Sequence, residues 1–316
     1  MYFFSKGALP LFAAALALPS SVLGQDALTP ATPSDAIAVA TPGEWIRINP
    51  ADLMVMDLAP GPAGKPRRVV IQLMPAPFSQ GWVGNIRKLV AAHWFDGIAV
   101  VRVQDNYVVQ WGDPDGETDH PKALPEDLKL VPQSEYMAPA KALPKTTPGG
   151  ADAYASRNGF VAGWPIAGND TGAWPVHCYG MVGVGRNLSP DTGTGAELYT
   201  VIGQAPRQLD RNIALVGRII AGMENLTSLP RGTGEMGFYE TPEERTAIAA
   251  VRFGSQVPDL PAYEYLSTSS ASFARYVQLR ANRKDDFYIT PAGGVDLCNV
   301  PVPIRAVGAA LKRAGM

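Results

Sequence analysis

Histidine and cysteine are scarce in this sequence. Three His (His93, His120, His177) and two Cys (Cys178, Cys298) occur in 316 residues. None of them has the spacing of a metal site, so no metal and no metal-dependent chemistry is expected. A Gly-x-Ser-x-Gly elbow is also missing. Asp96, Asp113 or Asp170 could be joined to a histidine as a hydrolase triad only on paper. Charge is sparse and balanced, at 27 basic against 29 acidic residues. Such a chain lacks the basic surface that nucleic-acid binding requires, and no nucleic-acid partner is expected.

Long apolar runs are missing too, with one exception near the start. Residues Ala8 to Leu18 are almost unbroken Ala and Leu, preceded by Lys6. A bilayer span needs roughly 20 residues, so this run is too short to cross one. With Val22-Leu23-Gly24 behind it, the run predicts an export signal cleaved after Gly24. An uncleaved anchor is the alternative. No stable membrane insertion is expected after cleavage, and in a Gram-negative cell the address would be the periplasm. In an oxidising compartment a lone pair of cysteines points to a Cys178–Cys298 disulfide. A reactive thiol is the other reading, although no activating base lies near Cys298 in sequence.

What the sequence has in abundance is punctuation, with 29 Pro and 32 Gly. Many short strands and loops follow, so the fold class is expected to be mainly β. Residues 25–43, rich in Ala, Thr and Pro, predict a flexible leader. Arg68–Leu73 predicts a strand, and Gly84–His93 a helix with Ile86, Leu89 and Val90 on one face. Strands are predicted at Ile98–Val103, Tyr107–Gln110, Tyr179–Val184, Glu197–Ile202, Leu215–Ile220 and Thr246–Phe253, with a short helix at Met223–Leu229. The Pro- and Gly-rich stretch between Asp113 and His177 is too long for a plain loop and predicts an insertion, with weak strand signals at Leu128–Val131 and Gly159–Val161. The last 60 residues predict a strand at Tyr263–Leu266, a helix capped near Ser270 or Ser272 and ending about Asn282, and a strand at Phe287–Ile289.

One block carries more than periodicity. Phe95-Asp96-Gly97, then Arg102, Tyr107-Val108, Gln110 and Gly112-Asp113-Pro114-Asp115-Gly116 resemble, in register, the signature of the cyclophilin-type peptidyl-prolyl cis/trans isomerases. Val69–Leu73 with Ala76-Pro77, and Asn85 with Leu89, resemble the family's first strand and following helix. Further on, Gly180–Gly185, Glu197–Thr200, Leu209-Asp210 and Val216–Met223 resemble later blocks in the right order. The resemblance implies a closed eight-stranded antiparallel barrel capped by two helices. It divides the chain into a signal (1–24), a leader and N-terminal extension (25–66), a barrel domain (67–256, with an insertion at about 114–177) and a C-terminal α+β extension (257–316).

The chemistry implied suits these residue types. Rotation about an X–Pro bond faces a barrier of about 18–20 kcal/mol set by amide resonance. Lowering it needs no nucleophile and no cofactor. It needs a held proline ring, a carbonyl free to swing, and a cation near the prolyl nitrogen. By resemblance, Arg102 is the catalytic cation and Gln110 binds the substrate backbone. Tyr107, Val108, Tyr199 and Leu209 line an apolar proline pocket, and backbone at Gly185 flanks the substrate. Proline-containing polypeptides are the implied partners. The sequence departs from the family pattern at Val100, Val101, Arg186, Glu197, Gln208, Asn212 and Ile213, and the loop after Gly185 is about two residues longer. Glu197 is expected to pair with Arg186 or Arg102. Such drift, with the insertion and the tail, keeps a second reading open: a non-catalytic barrel that grips Pro-containing segments as a chaperone or assembly factor.

Overall fold

The computed structural model describes residues 31–145 and 150–308; the predicted export signal lies outside them. In chain order the elements are α1 (Pro33–Ala38), β1 (Trp45–Arg47), β2 (Leu53–Leu58), β3 (Arg67–Leu73), α2 (Gln80–Ala91), β4 (Ala99–Val103) and β5 (Val108–Gly112). Next come β6 (Arg157–Val161), β7 (Trp164–Gly168), β8 (Ala173–Pro175), β9 (Met181–Val184), β10 (Leu198–Val201), β11 (Leu215–Ala221) and α3 (Glu224–Thr227). Last are β12 (Thr246–Phe253), β13 (Tyr263–Leu266), α4 (Ala271–Asn282) and β14 (Ile304–Ala306).

Eight strands close a barrel in the order β10-β5-β4-β12-β2-β3-β11-β9, every pairing antiparallel. Period-2 alternation explains the strands. Met54, Met56 and Leu58 of β2, with Val69, Ile71 and Leu73 of β3, join the main core cluster. Leu53 and Val70 point the other way, into a separate cluster with Tyr263, Leu260 and Ile304. A second sheet, β1-β13-β14, supplies that outer cover. From Leu53 to Met56 both faces of β2 are therefore dry, which is why this stretch reads as an apolar run without alternation. Helix α2 adds Trp82, Ile86 and Leu89 to the core at helical spacing. The other predicted capping helix is the single turn α3, with Leu226 and Leu229 in the same cluster.

Four expectations need correction. The barrel begins at Leu53, not at residue 67, because β2 pairs with both β3 and β12. The predicted leader is ordered from residue 33. Thr32 and Asp35 form a capping box with Pro33 at the first helical position, and Ala36 packs with Phe273 and Tyr276 of α4. Leu128–Val131 forms no strand: the Lys129 N–H donates to Asn85 Oδ1 (2.8 Å) and the Val131 carbonyl accepts from the Thr192 hydroxyl (2.6 Å). Phe287–Ile289 also forms none. Asp285 Oδ1 takes the N–H of Phe287 and of Tyr288, making a turn that leaves Phe287 and Ile289 exposed.

The insertion folds onto the barrel. Its sheet β6-β7-β8 places Trp164, Ile166 and Trp174 in the main core cluster. Arg218 of β11 pins this junction. Its guanidinium donates to Gln72 Oε1 and to the Gly163 carbonyl (2.6 Å), and lies 4.3 Å from the Trp164 ring centroid. Burial lowers its pKa to about 9.

The Cys178–Cys298 disulfide ties the segment entering β9 to the C-terminal extension, across a sequence separation of 120. A crosslink closing so long a loop restricts the unfolded chain, so reduction is expected to cost about 2–5 kcal/mol of stability. Urea unfolding with and without reductant measures this. Two free thiols in the mass spectrum of the non-reduced protein, or an unchanged midpoint after reduction, would refute it.

Candidate functional site

The site is one cross-strand row on the outer face of the barrel. Arg102 of β4 is registered opposite Gln110 of β5, and Gln110 opposite Tyr199 of β10. Tyr199 in turn faces Gly183 of β9. Directly opposed residues share a face, so the three side chains emerge together. A register shift between Val100 and Arg102 brings the arginine into this row. A missing side chain matters at Gly183, because a Cβ there would overlap the Tyr199 ring.

Arg102, Gln110, Tyr107, Val108, Tyr199, Leu209 and Gly185 all line a single pocket of about 120 Å³. Val184, Arg186, Glu197 and Ile213 complete its wall. Arg102 is half-buried and well anchored. Its Nε donates to the Met236 carbonyl (2.8 Å), Nη1 to Gln110 Oε1 (3.0 Å), and Nη2 to Gln104 Oε1. The guanidinium carbon lies 5.6 Å from the Tyr107 ring centroid and 5.0 Å from that of Phe238. A guanidinium has five N–H groups. Three are used, which leaves one on each terminal nitrogen for a ligand. Burial lowers the Arg102 pKa, with Tyr107 and Glu197 opposing, and the group stays cationic.

Gln110 is buried and engaged at both ends, accepting from Arg102 and donating through Nε2 to Glu197 Oε1. Among the described residues no ion pair joins Glu197 to Arg102 or Arg186; the carboxylate reaches the cation only through the amide. Partial burial raises the Glu197 pKa. Glu117 and Asp191 add to the rise, while the Gln110 hydrogen bond and Arg102 oppose it.

Behind the pocket runs a buried polar chain that the sequence reading missed. The Tyr199 hydroxyl meets His177 Nε2 (2.9 Å), and His177 Nδ1 meets Asp210 Oδ1 (2.9 Å). Asp210 Oδ1 also accepts the His177 backbone N–H (3.0 Å), and Asp210 Oδ2 accepts from Arg207 Nε (2.6 Å). Arg207 Nη1 continues to Asp152 Oδ2 in the insertion (2.9 Å). His177 is 0 % exposed, and Asp210, Arg207 and Tyr199 are 4, 4 and 5 % exposed. Burial pushes the Tyr199 hydroxyl well above its ordinary pKa, so it remains neutral. The sequence signal was a His and an Asp-containing motif 33 residues apart, with nothing local to link them. Met236 and Phe238, which flank Arg102, were also unforeseen.

No helix among the described residues is long and apolar enough to cross a membrane. No group of three or more His, Cys, Asp or Glu converges as a metal site among them. Asp96 is held by Arg252 (2.8 Å) and lies 3.6 Å from His93 Nδ1, while Asp113 takes the Lys122 N–H; among the described residues no hydrogen bond joins His93 to a serine, threonine or cysteine, so no hydrolase triad is assembled there.

The chain matches the family model described as cyclophilin type peptidyl-prolyl cis-trans isomerase/CLD over residues 66–252. Among solved structures it resembles a cyclophilin from Hirschia baltica, with a TM-score of 0.61, 22 % identity, and coverage of 87 % of this chain and 98 % of that one. At that identity the likeness shows the fold. A Cryptosporidium parvum cyclophilin type peptidyl-prolyl cis-trans isomerase matches more distantly, with a TM-score of 0.38, 12 % identity, and coverage of 64 % and 96 %. Curated proteins give no match to the sequence.

Proposed function

The chain belongs to the cyclophilin-type peptidyl-prolyl cis-trans isomerase family, and we propose that it turns X–Pro bonds of exported proteins with Arg102 as the catalytic cation. Family and fold make it an isomerase, and cyclophilins act on proline-containing peptides. The Arg102–Gln110–Tyr199 row on one open pocket is the observation that carries the finer reading.

In this mechanism the proline ring enters between Tyr107, Val108, Tyr199, Leu209 and Ile213. Ile213 and Leu209 keep that end of the pocket apolar, which favours a ring that must be held without hydrogen bonds. The two unengaged Arg102 N–H groups hold the proline carbonyl and bring positive charge to the prolyl nitrogen. Twisting the amide localises the nitrogen lone pair, and a fixed cation stabilises that twisted state more than the planar one. The Gln110 carbonyl oxygen is committed to Arg102 and one amide N–H to Glu197. Its second N–H is the group left to bind substrate backbone.

Export is supported by the Cys178–Cys298 disulfide, since such bonds persist in oxidising compartments. A prolyl-peptide isomerisation assay on the wild-type protein tests the function. Turnover above the uncatalysed rate is expected. Peptide binding without turnover would replace the enzyme with a binding module.

A further inference from the structure

The hydrogen bonds from Arg102 do not stop at Gln110. They end on Glu197, a carboxylate that the mechanism above does not use. We propose that Glu197 is a positioning residue for Arg102, acting through the Gln110 amide, and that its ionisation switches the site between a tightly and a loosely held cation. The inference rests on the isomerase reading.

Hydrogen-bond polarity is the first argument. A guanidinium only donates and an ionised carboxylate only accepts. A primary amide between them satisfies both in one orientation, with its carbonyl on the arginine and its NH2 on the carboxylate. Gln110 has that orientation: Oε1 accepts from Arg102 Nη1 (3.0 Å) and Nε2 donates to Glu197 Oε1. The second argument is polarisation. A charge at each end of an amide strengthens both of its hydrogen bonds. Proton uptake by Glu197 replaces the N–H···O⁻ bond with a neutral one and slackens the grip of Gln110 on Arg102. The third is fit. Glu197 as a residue is exposed, yet its carboxyl end is turned into the pocket wall. A Cβ at Gly185 would collide with Oε1, and one at Gly112 would come within 3.1 Å of Cγ, so two glycines make the seat.

The charged groups around the row set the sign. Arg102 favours the ionised carboxylate, and Arg186 lines the same pocket. Glu117 and Asp191 disfavour ionisation, as does partial burial, which dominates and places the pKa above the usual carboxylate value. Tyr107, Tyr136, and Tyr199 with His177 behind it are further titratable groups around the row. Above the Glu197 pKa the carboxylate is ionised and the cation is held. As pH falls through that raised pKa, the hold is lost.

The test compares pH–rate profiles of the wild type and Glu197→Gln, alongside nitrogen-15 NMR of the Gln110 side-chain amide. The wild type is expected to lose about tenfold in kcat/KM on the acid side, the worth of one charge-assisted hydrogen bond. Glu197→Gln is expected to lie near that lower level with no such limb. The Gln110 amide resonances are expected to titrate with the same midpoint in the wild type and to stay put in the variant. An acid limb that survives in Glu197→Gln, or Gln110 resonances that do not move with pH in the wild type, would overturn the proposal. Glu197→Asp, which keeps the charge but withdraws it from Gln110, is expected to behave like Glu197→Gln. Should the wild type prove inactive at every pH, the isomerase reading falls, and the NMR titration still decides whether Glu197 governs Gln110.

Discussion

Arg102→Ala is expected to lower kcat/KM by about 10²–10³-fold, the usual cost of removing one preorganised electrostatic group from a transition state. The mechanism assigns the whole cationic role to this side chain, and among the described residues no second cation stands in its place. Arg186 lines the pocket, but its Nε and Nη1 are turned to the backbone carbonyls of Asn212 (3.1 Å) and Asn187 (2.6 Å). The fold should tolerate the change. Arg102 is half-buried, and water can reach the acceptors it leaves at Met236, Gln104 and Gln110, so the stability cost should stay within about 1 kcal/mol. Arg102→Lys separates charge from geometry. An ammonium keeps the charge but lacks the planar fork that spans three acceptors and still presents two N–H groups. It is expected to recover only part of the rate. Isomerisation kinetics with thermal melts of the three proteins decide the matter, and wild-type turnover in Arg102→Ala would sink the catalytic assignment.

Asp210→Ala is expected to show the largest loss of stability, about 3–5 kcal/mol, as is usual when one member of a buried charged network is removed. Asp210 accepts from the His177 backbone, the His177 ring and Arg207 at once. All of these donors are buried, and alanine satisfies none of them. Tyr199→Phe trims the same chain at its other end. It strands only His177 Nε2 and keeps the ring that lines the pocket, so a smaller loss of about 1–3 kcal/mol is expected. Urea unfolding midpoints rank the variants. A cost under about 1 kcal/mol for Asp210→Ala would mean that the network does not brace the pocket. The chain also joins the insertion, through Asp152, to the pocket wall at Tyr199. Cys178 lies next to His177 and carries the C-terminal extension. Both decorations thus bear on the same wall.

Much of the fold was legible because its signals are local. Strand β13 lies where the sequence predicts it, and helix α4 starts at its Ser270 cap, with Ser270 Oγ accepting the Phe273 N–H (3.1 Å). Phe287–Ile289 misled for the converse reason. Its aromatic and β-branched residues suit a strand, but among the described residues it pairs with no strand, and Asp285 captures the N–H groups of Phe287 and Tyr288 locally. Leu128–Val131 lost its backbone hydrogen bonds to the side chains of Asn85 and Thr192, partners 44 and 61 residues away. Strand β2 stayed hidden because Leu53 to Met56 is covered on both faces, and one cover is a sheet built partly from the chain's last described residues.

The sequence by itself determined what repeats every two or four residues, which is most of the strands and helix α2, and its resemblance to the family supplied Arg102, Tyr107 and Gln110. It also supplied the cysteine pair. Tertiary structure alone decided that Arg102 and Gln110 form a row with Tyr199, that Gln110 is spent between a cation and an acid, and that Tyr199 leans on His177, Asp210, Arg207 and Asp152. The physical reason is range. Periodicity records which face a residue shows to water. Hydrogen bonds between side chains 8, 33, 55 and 87 residues apart leave no periodic mark, and only closure of the barrel brings them together.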